Sequence, residues 1–248
     1  YPSSPRVLTV SSTVSLTRTG AGGSTSSFNH IVNAGAVSVT GGTFFSSGNF
    51  TNQAGGFVSV SSNATFTQSS NAFVQTGGAL KVDGTFNPGT AGLAIQGGSV
   101  SGIGTLTGNT TFTGGTLDPG NPTGTLTFSG NLILGPGATT LLEIGNASSD
   151  RIAGIGNLTF GGTLNILPLT AALSAGQSWN LFGFTTSSGS FSNISLPYTA
   201  QGWIWDTSQL QTNGLLTLTT VVPIPEPSTY LLLASGLVTM FVCRRRKL

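Results

Sequence analysis

Between Val37 and Leu132 an apolar residue returns every six or seven positions, set among glycine, serine, threonine and asparagine. A longer interval runs through the same stretch. Phe66, Phe86, Leu106 and Leu126 stand twenty residues apart, within the tetrapeptides Ala-Thr-Phe-Thr, Gly-Thr-Phe-Asn and, twice, Gly-Thr-Leu-Thr. Val60, Leu80 and Val100 form a second column, and Phe73 and Leu93 a third, with Phe112 one residue early. Gly-Gly pairs at 77–78 and 97–98 keep the interval, while those at 55–56 and 114–115 drift by two or three residues. Three short strands in each twenty residues, with Gly or Asn at the corners, predict the coils of a parallel β-helix. Each strand turns alternate side chains inward, and one coil buries its apolar face only against the next. Glycine suits the corners because they often need positive φ. A β-sandwich also has short strands and frequent turns, but it requires no fixed twenty-residue register. The predicted fold is all-β, a right-handed parallel β-helix with about 20 residues per coil.

The pattern divides the chain. Residues 1–30 are poorly patterned and read as an N-terminal lead-in or cap, and residues 31–129 as β-helix coils. The register fades from about Gly130, so residues 130–222 read as C-terminal coils and an irregular β cap. Longer strands are expected there at Leu141–Ile144, Gly161–Leu167 and Leu215–Thr219, and all three tryptophans (Trp179, Trp203, Trp205) fall in it. A solenoid end exposes apolar surface and unpaired strand edges that need covering. Large aromatics suit that task, with a carbohydrate-stacking surface as the alternative. The Gly-Gly-Thr-Leu, Gly-Asn-Leu and Gly-Pro-Gly stretches here resemble the last coils of autotransporter-type β-helical passenger domains.

Composition sharpens the picture. Only 6% of residues are charged, against about 25% in ordinary globular proteins. Disordered chains lack aromatic and β-branched residues, whereas 15 phenylalanines are spread along this one. The formal charge of +2 comes from the end of the chain, where Arg244, Arg245, Arg246 and Lys247 supply four of the eight basic residues. No basic face remains for nucleic acid, which needs a cluster of Lys and Arg. Cys243 is the single cysteine and His30 the single histidine, so the sequence offers no Cys/His metal set, and no cofactor is expected. Tyr1 is not a start methionine and no apolar leader follows it, which places an expected export signal upstream.

The C-terminal segment has three parts. Residues 223–229 form a Pro-rich linker that suits neither sheet nor helix interior. Within residues 230–248, an apolar run from Tyr230 to Cys243 precedes the Arg-Arg-Arg-Lys cluster. Its length is short against the roughly twenty residues of a usual membrane span. Cations directly after it anchor a helix end at the cytoplasmic face, and their long stems extend its reach. Pro225-Glu226-Pro227, a short membrane helix and a terminal basic cluster, in this order, resemble the PEP-CTERM sorting signal of Gram-negative bacteria. The resemblance implies export, transient residence in the inner membrane, processing by an exosortase, and association with exopolysaccharide and biofilm matrix. It makes Pro225, Glu226 and Pro227 the recognition motif and Arg244 to Lys247 the retention signal. Tails of this kind are also described as ice-binding-protein C-terminal regions. An ordinary single-pass anchor on a Pro-rich stalk is the alternative.

Catalysis is not expected. Asp83, Asp118, Glu143, Asp150 and Asp206 are not separated by multiples of twenty, so the repeat does not gather them on one face. Asp83 has Lys81 two residues away, and Asp118 and Asp206 stand in turn sequences. A binding surface is the sharper candidate. With Phe66, Phe86, Leu106 and Leu126 inward, Thr65, Thr85, Thr105 and Thr125 point outward, as do Thr67, Asn87, Thr107 and Thr127. These would form two ladders with a spacing of about 4.8 Å along the axis and roughly 7 Å across the strand. Such Thr-x-Thr arrays resemble those of ice-binding β-solenoids, and a glycan-binding module is also open. Outward threonine is equally a good strand residue that pairs with its neighbours.

Overall fold

Short alternating segments bury their apolar side chains by stacking in register on the matching segment of the next coil. The computed structural model, which describes residues 6–26, 28–69, 71–169 and 173–221, shows that arrangement from Val7 to Ser195. A single 22-stranded sheet winds up the molecule, with its strands paired in parallel. One face stacks Val7–Val10, His30–Asn33, Asn49–Asn52, Phe73–Gln75 and Leu93–Ile95. The second stacks Ser15–Arg18, Ala36–Val39, Phe57–Val60, Ala79–Val82 and Ser99–Gly102. The third stacks Gly23–Ser26, Gly42–Ser46, Ala64–Gln68, Thr85–Asn87 and Thr105–Leu106. The chain is an all-β parallel β-solenoid.

The structure departs from the sequence reading in two respects. Residues from Val7 onward are a full coil rather than a lead-in, because all three faces already have their strands there. Past Gly130, where further coils are expected, stacking continues. Thr110–Pro119 and Leu132–Ile144 each run across two faces, and Arg151–Phe160 and Phe182–Gly189 lie over each other above them. Finally, the fixed interval slips. Leu106 lies opposite Phe128 rather than Leu126, Val60 opposite Val82 rather than Leu80, and Phe112 opposite Ile95 rather than Leu93. Corners absorb added or missing residues, so the loop between Thr110–Pro119 and Thr125–Phe128 shifts the column by two without disturbing the stack.

Inside, Phe44, Phe66, Phe86, Leu106 and Phe128 form one buried column and Ile31, Phe50, Phe73 and Leu93 another. Phe66 and Phe86 stack at 4.9 Å and Phe50 and Phe73 at 4.7 Å, while Phe66 meets Phe73 edge-on at 5.8 Å. Such pairs add about 0.5–1.5 kcal/mol each beyond the area they bury. Two residues beyond Ile31, Phe50 and Phe73, the inward positions hold Asn33, Asn52 and Gln75, all fully buried. Asn33 Nδ2 donates to Asn52 Oδ1 (2.8 Å) and Asn52 Nδ2 to Gln75 Oε1 (3.1 Å). Gln75 Nε2 ends the ladder on the carbonyls of Gly97 and Ser99. Buried amides demand such partners, and here each coil supplies them to the next.

A small antiparallel sheet covers the C-terminal end. Leu215–Thr220 lies at its centre, between Ser178–Asn180 and Trp203–Asp206. The short helix Leu210–Asn213 precedes it and ends at Gly214, whose carbonyl accepts the N–H of Leu181 (2.8 Å) beside the last coil. Trp179 is buried and donates Nε1–H to Gly145 O (2.8 Å). Trp205 donates to Pro197 O (2.9 Å), and the two rings lie 5.7 Å apart. These two tryptophans therefore serve the cap, with their polar atoms spent on backbone carbonyls. Among the described residues no helix is long and apolar enough to cross a membrane. The linker 223–229 and the transmembrane helix expected within 230–248 lie outside the described residues.

Candidate functional site

The outward positions of the third face carry the threonine array, in a different register from the one the sequence suggests. Thr43, Thr65, Thr85, Thr105 and Thr127 are paired in succession, five coils deep. Thr125 drops out of this column and faces Arg151, because of the two-residue slip described above. The second column runs Phe45, Thr67 and Asn87. It continues through Thr107 and Ser129, whose N–H groups bond to Phe86 O (2.9 Å) and Leu106 O (3.0 Å). Asn87 turns its Oδ1 to the N–H of Gly89 (2.9 Å), which commits it to the corner. Thr43 was missed because its coil is two residues longer than twenty, although its Gly-Gly-Thr-Phe setting matches the later repeats. Neither column holds a charged residue between Thr43 and Ser129.

Three acids do come together, contrary to the reading from their spacing. Asp118 stands on the second face opposite Ser101, and Glu143 follows further along that face opposite Leu167. Asp150 is fully buried, its Oδ1 accepting the N–H of Gly124 (2.9 Å) and its Oδ2 that of Glu143 (2.8 Å). Burial raises the Asp118 carboxyl above the usual range. Glu143 is raised by burial and then by the charge of Asp118. Asp150 is pushed up to about 7, since burial outweighs its two backbone hydrogen bonds and the charges of Glu143 and Asp118 add to it. Both oxygens of Asp150 are thus occupied, tying the loop at Gly124 to the end of the strand Leu132–Ile144. Among the described residues no three His, Cys, Asp or Glu side chains are grouped so as to hold a metal ion.

The remaining polar candidates have local partners. Lys81 Nζ and Asp83 Oδ2 form a surface ion pair at 3.2 Å. Asp206 accepts the N–H of Ser208 (2.9 Å), and hydrogen bonds from Ser208 hold its carboxyl below the usual range. His30 Nε2 lies 2.8 Å from Thr51 Oγ1 on the neighbouring coil. Beside the cap an open apolar groove of about 550 Å³ is lined by Leu167, Leu173, Leu196, Pro197, Tyr198 and Trp203 among others, none of them charged.

Past Val221 the chain enters the segment from which its destination is read. Residues 223–247 match the family model of the PEP-CTERM protein-sorting motif. The chain carries a PEP-CTERM sorting signal. Among curated proteins none matches it. The PEP-CTERM match takes in Pro225, Glu226 and Pro227 as well as Arg244, Arg245, Arg246 and Lys247, all outside the described residues. A PEP-CTERM signal implies exosortase-dependent export, with the exosortase as processing partner and a membrane-transiting precursor that ends at the cell surface. The PEP-CTERM chain thus joins two parts of different purpose, a β-solenoid and a sorting tail that starts two residues beyond the last described position of the cap.

Proposed function

We propose that this is a non-catalytic structural or adhesive protein of the surface or extracellular matrix of a Gram-negative bacterium, sorted through its C-terminal tail. The single observation that carries the reading is the PEP-CTERM match at 223–247. In this reading Tyr230–Cys243 holds the precursor transiently in the inner membrane, with Arg244 to Lys247 as the retention signal, until the exosortase recognises Pro225-Glu226-Pro227. The released solenoid then offers a stiff, hydroxyl-rich rod that hydrogen-bonds exopolysaccharide. The commitment of Asp150 to two backbone N–H groups, and of Asp83 to Lys81, supports a structural use of the acids. Intact-mass measurement of protein recovered from the cell surface or medium is the test. A C-terminus near Pro225–Pro227 is the expected result. A chain still carrying Arg244 to Lys247 overturns the matrix role in favour of a membrane-held periplasmic one.

A second reading, an ice- or glycan-binding module, is favoured by one observation: the five-deep column of Thr43, Thr65, Thr85, Thr105 and Thr127. Uncharged hydroxyls at a repeat of about 4.8 Å suit a ligand that is itself periodic. Replacing Thr85 and Thr105 with tyrosine leaves the inward phenylalanine and leucine columns intact. In this reading the exchange abolishes shaping of growing ice crystals or retention on polysaccharide. Unchanged behaviour in both assays removes it.

A further inference from the structure

We propose that the apolar groove of the C-terminal cap lies against the lipid surface while the chain is anchored, so that the cap sits on the bilayer instead of swinging from a tether. The inference rests on the reading of Tyr230–Cys243 as a membrane anchor. Its first support is the surface itself. Leu167 and Tyr198, 44% and 99% exposed, line it together with the half-buried Trp203 and with Leu173, Leu196 and Pro197, and no charge stands in the lining. Tyrosine and tryptophan are the side chains that favour a membrane interface, because each joins an apolar ring to one polar atom.

The second support is where the chain leaves the cap. Trp203 pairs with Thr220, and the N–H of Val221 donates to Gly202 O (2.8 Å), so the polypeptide departs from the lip of this groove. The residues from Val222 to Thr229, three of them proline, separate that lip from the apolar run. At about 3.1 Å per residue for an extended Pro-rich segment, they reach about 25 Å. Part of this length is taken up in crossing the headgroup layer. An inserted Tyr230–Cys243 therefore keeps the groove within a short distance of lipid, and exposed Val221 and Ile204 extend the apolar surface at that exit. Seating it there also holds Pro225, Glu226 and Pro227 close to the membrane face, where the tail is to be processed.

The test uses the full chain with Tyr198→Cys and Cys243→Ser, labelled with bimane and reconstituted into vesicles of phosphatidylethanolamine and phosphatidylglycerol. Tyr198 is fully exposed, so the exchange leaves the core untouched. A second chain carries the label at Thr85→Cys on the rod, with the same Cys243→Ser. The expected result is a blue shift of the Tyr198 label and loss of most of its intensity with lipids brominated near the glycerol end of the acyl chains. The Thr85 label should show neither. If the chain floats with the vesicles while the Tyr198 label stays as water-exposed as the Thr85 label, the groove faces away from lipid and the inference falls alone. A blue-shifted label that brominated lipid does not quench means that the chain's own linker fills the groove, which also overturns it. A chain that does not float defeats the anchor reading, and the inference with it.

Discussion

Asp150 sets two opposing effects against each other at one side chain. Two backbone N–H groups favour its ionised form, and the loss of water disfavours it. Burial wins, and the folded-state pKa stands at about 7 against an ordinary value of 3.8. Because the folded chain holds this proton more tightly than the unfolded chain, the site contributes most to stability below about pH 4. That contribution falls as the pH rises towards 7, and is then constant. Thermal melts between pH 4 and 8 should show a declining midpoint over this window, with a flatter profile for Asp150→Asn. None of this was legible beforehand. The burial of Asp150 depends on the turn that pairs Ile144 with Ser149, and on a loop from another coil that brings Gly124 to it. The inward phenylalanines and outward threonines were legible, since alternation along a strand is a local property.

At the scale of the strand and its corner, glycine is what permits close stacking. Gly98 adopts φ +76°, and a Cβ there would lie 2.1 Å from the carbonyl oxygen of Gly78 on the neighbouring coil. Gly98→Ala should cost about 1–2 kcal/mol from backbone strain alone, and more from the clash. The expected readout is a lower denaturant midpoint at an unchanged slope. The regular pairs at 77–78 and 97–98 marked this corner in the sequence because no other residue meets both demands. The corner ahead of Thr125–Phe128 takes up two added residues, and that insertion moved Phe128 to the place expected of Leu126, and Thr127 to that of Thr125.

The molecule as a whole is a one-dimensional stack finished by a cap of another kind. The stack could be read from its repeat, and a β cap was expected within 130–222, but the pairing inside that cap could not be read. Its three strands, Ser178–Asn180, Trp203–Asp206 and Leu215–Thr220, come from separate segments with no common period, and they pair antiparallel. Charge contributes little to the whole, with Lys81–Asp83 the one ion pair among the described residues. Exposed pairs of this type are worth 0–1 kcal/mol and are screened by salt. The melting temperature should therefore barely change between low-salt buffer and about 0.5 M sodium chloride, a range over which screening of surface charge is nearly complete. A fall of many degrees would point to an electrostatic network that the described residues do not show.

Coils that touch only their neighbours also determine how the rod yields to a mechanical load. A pull applied at the C-terminal end meets Leu215–Thr220 first, the central strand of the cap, and then peels away one coil after another. Each coil of about twenty residues adds roughly 70 Å of extended chain. The amide ladder of Asn33, Asn52 and Gln75 lies at the far end and lets go late. A rod built in this way lengthens in steps under load, where a compact domain gives way at once.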